Sequence, residues 1–110
     1  MGFTRIVNNL PDGDYKALIT AAQFFTSKKG NELFKMNLKI EETGCVFSKI
    51  FSAEVDSDSP LIPLIESAGL NLDTFESSQI IGLHVEISVK NNDKENEMPE
   101  TMLVSARCVQ

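Results

Sequence analysis

Gly13-Asp14-Tyr15-Lys16-Ala17-Leu18-Ile19-Thr20-Ala21, then Ser27-Lys28-Lys29-Gly30-Asn31, then Glu32-Leu33-Phe34-Lys35-Met36-Asn37-Leu38-Lys39-Ile40 is the stretch on which the fold turns. Tyr15, Ala17, Ile19 and Ala21 alternate with Lys16 and Thr20, the period of a half-buried strand, so a first strand is expected from Asp14 to Phe25. Gly30 and Asn31 accept positive φ and close a hairpin. On the second strand, Glu32 to Ile40, Phe34, Met36, Leu38 and Ile40 form an apolar row, and Lys35, Asn37 and Lys39 form the opposite one. Upstream, the turn formers Asn8-Asn9-Leu10-Pro11-Asp12-Gly13 set off an N-terminal arm, residues 1–13.

Downstream, Glu42-Thr43-Gly44 leads into a third strand, Cys45 to Ala53, and the loop length decides its faces. A three-residue loop ending in glycine fits a type I turn followed by a left-handed residue. That register opposes Ile40 to Val46 and Met36 to Ile50 in the core, and sets Phe47, Lys49 and Phe51 on the outer face beside Lys39, Asn37 and Lys35. A two- or four-residue loop reverses the faces, burying Phe47 and Phe51 and turning Lys49 inward against Leu38 or Met36. Burying an unpaired ammonium costs several kcal/mol, about what two exposed phenyl rings would forfeit, and the three-residue register is the expectation.

After the polar break Asp56-Ser57-Asp58-Ser59-Pro60, Leu61, Leu64, Ile65 and Ala68 recur at helical spacing until Gly69. Pro63 belongs only in a first turn, so the helix is short. Asp73-Thr74-Phe75-Glu76 has the spacing of a capped helical turn. Leu83 to Lys90 is a fourth strand with Leu83, Val85, Ile87 and Val89 inward, residues 91–99 form a polar loop, and Thr101 to Val109 is the fifth strand. Five strands with a helical connection between the third and fourth is the order of an OB-fold-like Greek-key barrel, mainly β, in a single domain over 1–110.

Charge is uneven. The net charge is -6, yet residues 27–53 hold five lysines against three acids, while residues 54–110 hold three bases against eleven acids. A basic segment in an acidic chain points to a polyanion. Single strands need cations for phosphates and flat apolar faces for bases. The candidate nucleic-acid contacts are Lys28, Lys29, Asn31, Lys35, Asn37, Lys39, Phe47, Lys49, Phe51, Lys90 and Lys94.

The remaining chemistry is sparse. His84 stands on the solvent side of a strand without a nucleophile at a recognisable spacing, Cys45 and Cys108 read as reduced buried thiols, and no phosphate loop occurs. No catalytic residue, metal or cofactor is expected. No membrane span or signal peptide is legible, and a cytoplasmic protein is expected.

Leu10-Pro11-Asp12-Gly13-Asp14-Tyr15, Ser27-Lys28-Lys29-Gly30-Asn31, the segment Leu64 to Leu70 ending in Ala68-Gly69-Leu70, and Ile80-Ile81-Gly82 resemble phage-encoded single-stranded-DNA-binding proteins with an OB-fold. The resemblance implies coating of single-stranded DNA in phage replication or recombination, in the host cytoplasm, with Lys28, Lys29, Lys35 and Lys39 on the backbone. Replication or recombination proteins are the implied protein partners, and a free strand edge leaves room for a homodimer. An alternative reading is an acidic protein-interaction module or inhibitor of a nucleic-acid enzyme, working through Glu54, Asp56 and Asp58 and through Asp93, Glu95, Glu97 and Glu100.

Overall fold

The computed structural model describes residues 5–7, 9–55, 57–92 and 100–109. The strand period of the decisive stretch produces a long hairpin, β2 (Gly13–Thr26) and β3 (Glu32–Ile40), preceded by a short β1 (Ile6–Val7). β4 (Val46–Ser52), helix α1 (Leu61–Ser67), a 3-10 turn (Ser77–Ile80), β5 (His84–Asn92) and β6 (Glu100–Cys108) follow. The strands form one open sheet in the order β1-β4-β3-β2-β5-β6, antiparallel except for the β1–β4 pair. The architecture is mainly β, and its hydrogen bonding does not close a five-stranded barrel. Part of the arm belongs to the sheet, since Ile6 and Val7 pair with Val46 and Phe47.

The register of β4 reverses the expectation. Ile40 N donates to Cys45 O (2.8 Å) and Gly44 N to Ile40 O (2.8 Å), so the loop holds four residues, Glu41 to Gly44. Phe47 now opposes Leu38, Lys49 opposes Met36 and Phe51 opposes Phe34. Phe47 is fully buried, Phe51 is half-buried against the core, and Ile50 is 52% exposed. Two rings gain burial in this register, and the ammonium it turns inward is partnered, because Lys49 Nζ donates to Thr101 O (2.7 Å).

A second difference lies in β2. Pairing passes from Ile19–Leu38 to Ala21–Asn37, leaving Thr20 as an extra residue. Such a bulge moves every later side chain to the other face. Ala21 is therefore exposed and Ala22 buried; Phe24 turns toward Phe34 on the core side, and Phe25 turns outward opposite Leu33.

The core lies on the concave side of the sheet, filled by Ile19, Met36, Leu38, Ile40, Phe47, Val85 and Ile87 and capped by Leu61, Leu64 and Ile65 of α1. Gly69 at φ +78° ends α1 where an L side chain would be strained. The capped turn forms slightly later than its spacing indicates: Glu76 is the N-cap and Gln79 completes the capping box. The sheet curls until β4 meets β6 through Lys49 and Thr101.

Thr101 is the buried polar residue at that seam. Its Oγ1 accepts from Leu10 N (2.9 Å) and donates to Asn91 Oδ1 (2.5 Å), while Asn91 Nδ2 donates to Leu10 O and Asp12 Oδ1 (both 2.7 Å). One hydroxyl and one amide thereby fasten the arm across β5 and β6.

Candidate nucleic-acid interface

The outer face of the β2–β3–β4 region is a three-row surface whose composition follows from the bulge and the four-residue loop. β3 contributes Leu33, Lys35, Asn37 and Lys39. β2 sets Phe25, Gln23, Ala21 and Leu18 opposite them, and β4 sets Ser52, Ile50, Ser48 and Val46 on the other flank. These rows carry two lysines and no carboxylate in a chain of net charge -6. Neither lysine has an ion-pair partner among the described residues. Four residues of strand separate Lys35 from Lys39, roughly 13 Å.

The face extends at both ends. At one end the hairpin carries Lys28 and Lys29, both exposed, with Ser27 N bonded to Asn31 O (2.8 Å), Asn31 N to Ser27 Oγ (3.2 Å), and Gly30 at φ +87°. Asn31 thus fixes the turn through its backbone. At the other end Arg5 shares a shallow cleft of about 600 Å³ with Lys39 and Thr20. Asn37, midway along, is half-buried, and its side-chain oxygen is buried without a hydrogen-bond partner.

Other predicted residues fall elsewhere. Phe47 is enclosed in the core and presents no ring to a ligand; Lys49 is spent on Thr101 and does not stand in the lysine row. Phe51 leaves the lysine face and instead lines a groove of about 690 Å³ at the β4–β6 seam, which also holds Lys90, Asn91 and Met102. Lys94 lies outside the described residues. Sequence reading expected one of Phe24 and Phe25 to face outward and flank the site without choosing between them, placed Ile50 in the core, and missed Arg5. The bulge selects Phe25 and the loop length turns Ile50 outward, since each device shifts a strand by one residue.

Cys45 and Cys108 are both free and half-buried, and His84 is exposed, with Nδ1 3.1 Å from Glu41 Oε1. Among the described residues no group of three or more His, Cys, Asp or Glu side chains is placed to hold a metal, and no helix is long and apolar enough to cross a membrane. No protein-family model and no curated protein matches the chain.

Proposed function

We propose that this protein binds single-stranded DNA without sequence preference, laying the strand over the outer face of β3 and β4. The observation that carries the reading is the carboxylate-free face, on which Lys35 stands unpaired beside Ile50 and Lys39 unpaired between Leu18 and Val46, with Phe25 and Leu33 at its hairpin end. Cations take the phosphates; Phe25 offers a ring and Ile50 an apolar ledge to the bases, a combination that tolerates any sequence. Lys28 and Lys29 receive the strand at the hairpin, and Arg5 extends the track past Lys39.

The strand order supports a related reading of the fold. Without β1, the order β4-β3-β2-β5-β6 with α1 between β4 and β5 is that of an OB-like barrel left partly open, with Lys49 and Thr101 spanning the gap. In that reading the hairpin flanks the strand, and Phe51 and Lys90 line its exit along the seam. The resemblance of the β2–β3 hairpin to phage single-strand binders supplies a setting, the protection of single strands in phage replication or recombination.

The test is fluorescence anisotropy with labelled oligothymidine of about 30 nucleotides, long enough for several contact sites of roughly 4–16 nucleotides each. Binding should weaken as salt rises, be poor for the matching duplex, and be abolished by Lys35→Glu with Lys39→Glu while the melting temperature holds. Failure to bind at low salt would refute the proposal.

A further inference from the structure

Two cations from separate segments converge where the lysine track ends. Arg5 belongs to the arm, whose path is fixed by the bond from Val46 N to Arg5 O (2.9 Å) and by the pairing of Ile6 with Val46. Lys39 stands on β3, opposite Val46. Both line the cleft of about 600 Å³ that Thr20, Thr43 and Gly44 share, and no carboxylate is among the described residues lining it. Neither cation has an ion-pair partner among the described residues. Like charges brought together without a counter-charge repel, and an anion seated between them removes that cost. The cleft supplies a neutral donor as well: Thr43 Oγ1 accepts from Cys45 N (3.3 Å), which leaves its hydroxyl proton for another acceptor.

The track stops at this cleft. Leu18 pairs with Lys39 on one side and with His84 on the other. Glu41 Oε1 lies 3.1 Å from His84 Nδ1, so an exposed carboxylate stands just past Lys39. A strand laid from the hairpin over Lys35 and Lys39 meets two cations together and then a negative charge that repels a further phosphate. The phosphate in the cleft is therefore the last one on the track.

We infer that the cleft between Arg5 and Lys39 seats a terminal phosphate of the bound strand. The inference rests on the single-strand reading above and adds an end preference to it. A terminal phosphomonoester carries a charge of about -1.5 to -2 near pH 7 and three acceptor oxygens, where an internal phosphodiester carries a single charge. Two cations and a threonine hydroxyl match the monoester. Lys28 and Lys29, at the other end of the track, stand exposed on the hairpin turn.

The experiment compares oligothymidines of about 10 nucleotides, within one contact site, labelled with fluorescein near the middle and ending in a 5′-phosphate, a 3′-phosphate or hydroxyls at both ends. One phosphorylated form should bind about threefold tighter than the hydroxyl form, the worth of an exposed charge pair, and which one does so reports the polarity of the strand. Arg5→Ala should bring that ratio to one and Arg5→Lys should restore most of it, both with the melting temperature of the parent. Lys35→Ala should weaken all three oligonucleotides and keep the ratio. Amide shifts that distinguish the phosphorylated from the hydroxyl form should centre on Thr20, Thr43 and Gly44. Equal affinity of all three, an equal gain from either phosphate, a ratio that survives Arg5→Ala, or amide differences centred on Lys28 and Lys29 would each overturn the inference and leave single-strand binding standing. Binding by none of the three at low salt would overturn both.

Discussion

Phe47 and Phe25 show how one side chain's position separates stability from binding. Phe47 is fully buried, so Phe47→Ala should cost about 3–5 kcal/mol in chemical denaturation, the range for a large aromatic removed from a core. Phe25 lies on the lysine face outside the core cluster, so Phe25→Ala should weaken oligothymidine binding by about 1–3 kcal/mol, the worth of a stacked base, with far less effect on unfolding. Lys49 sits between these cases. Its ammonium satisfies Thr101 O, and Lys49→Ala would leave that seam carbonyl without its charged donor. A loss of about 1–3 kcal/mol in stability is expected, with strand affinity almost unchanged, and a large affinity loss at constant stability would show that Lys49 faces the ligand.

The elements depend on two single-residue devices. Thr20 is the extra residue of a bulge that rotates the far end of β2, creating both the Phe24–Phe34 contact inside and the Phe25 platform outside. The loop Glu41 to Gly44 sets β4's faces, with Gly44 at φ +74° closing it. Deleting Glu42 would shorten this loop to the three-residue form and turn the row of Ser48 and Ile50 inward in place of Phe47 and Phe51. Such a chain should lose its cooperative thermal transition by circular dichroism. Retention of a native-like transition would mean that β4's register is set by β1 pairing and not by the loop.

Across the whole molecule, the seam polar network joins the arm to the last hairpin. Asp12 accepts from both the backbone N and the side-chain Nδ2 of Asn91, and those hydrogen bonds hold its carboxyl below the usual carboxylate range, the backbone bond contributing most. A depressed folded-state value means that its contribution to stability is present above the unfolded-state carboxylate range and is lost as pH falls through the folded value. Acidification should therefore release the arm first: the protection factor of the Asn91 amide should fall at low pH, and Asp12→Asn should remove that pH dependence. Asp12 is exposed, so the step belongs to local opening and not to global unfolding. At the opposite corner Glu86 holds the Arg107 guanidinium above its usual value through a 2.6 Å hydrogen bond, a surface pairing that adds little to stability.

Strand period, the Ser27–Asn31 turn and the stop at Gly69 were legible in the sequence because each is a local rule: alternation, positive φ and helical capping act within a few residues. They placed β2, β3, β5, β6 and α1 nearly where they lie, along with the outward row of Lys35, Asn37 and Lys39. The faces of β4 and of the second half of β2 were not legible. Each depends on one inserted residue, and local propensity barely distinguishes the alternatives. The tertiary structure decided between them by giving the inward Lys49 a carbonyl on β6, fifty-two positions away, and by enclosing Phe47 in the core cluster. A partner that distant in sequence has no local signature, and it is what converts a costly buried charge into a tolerated one.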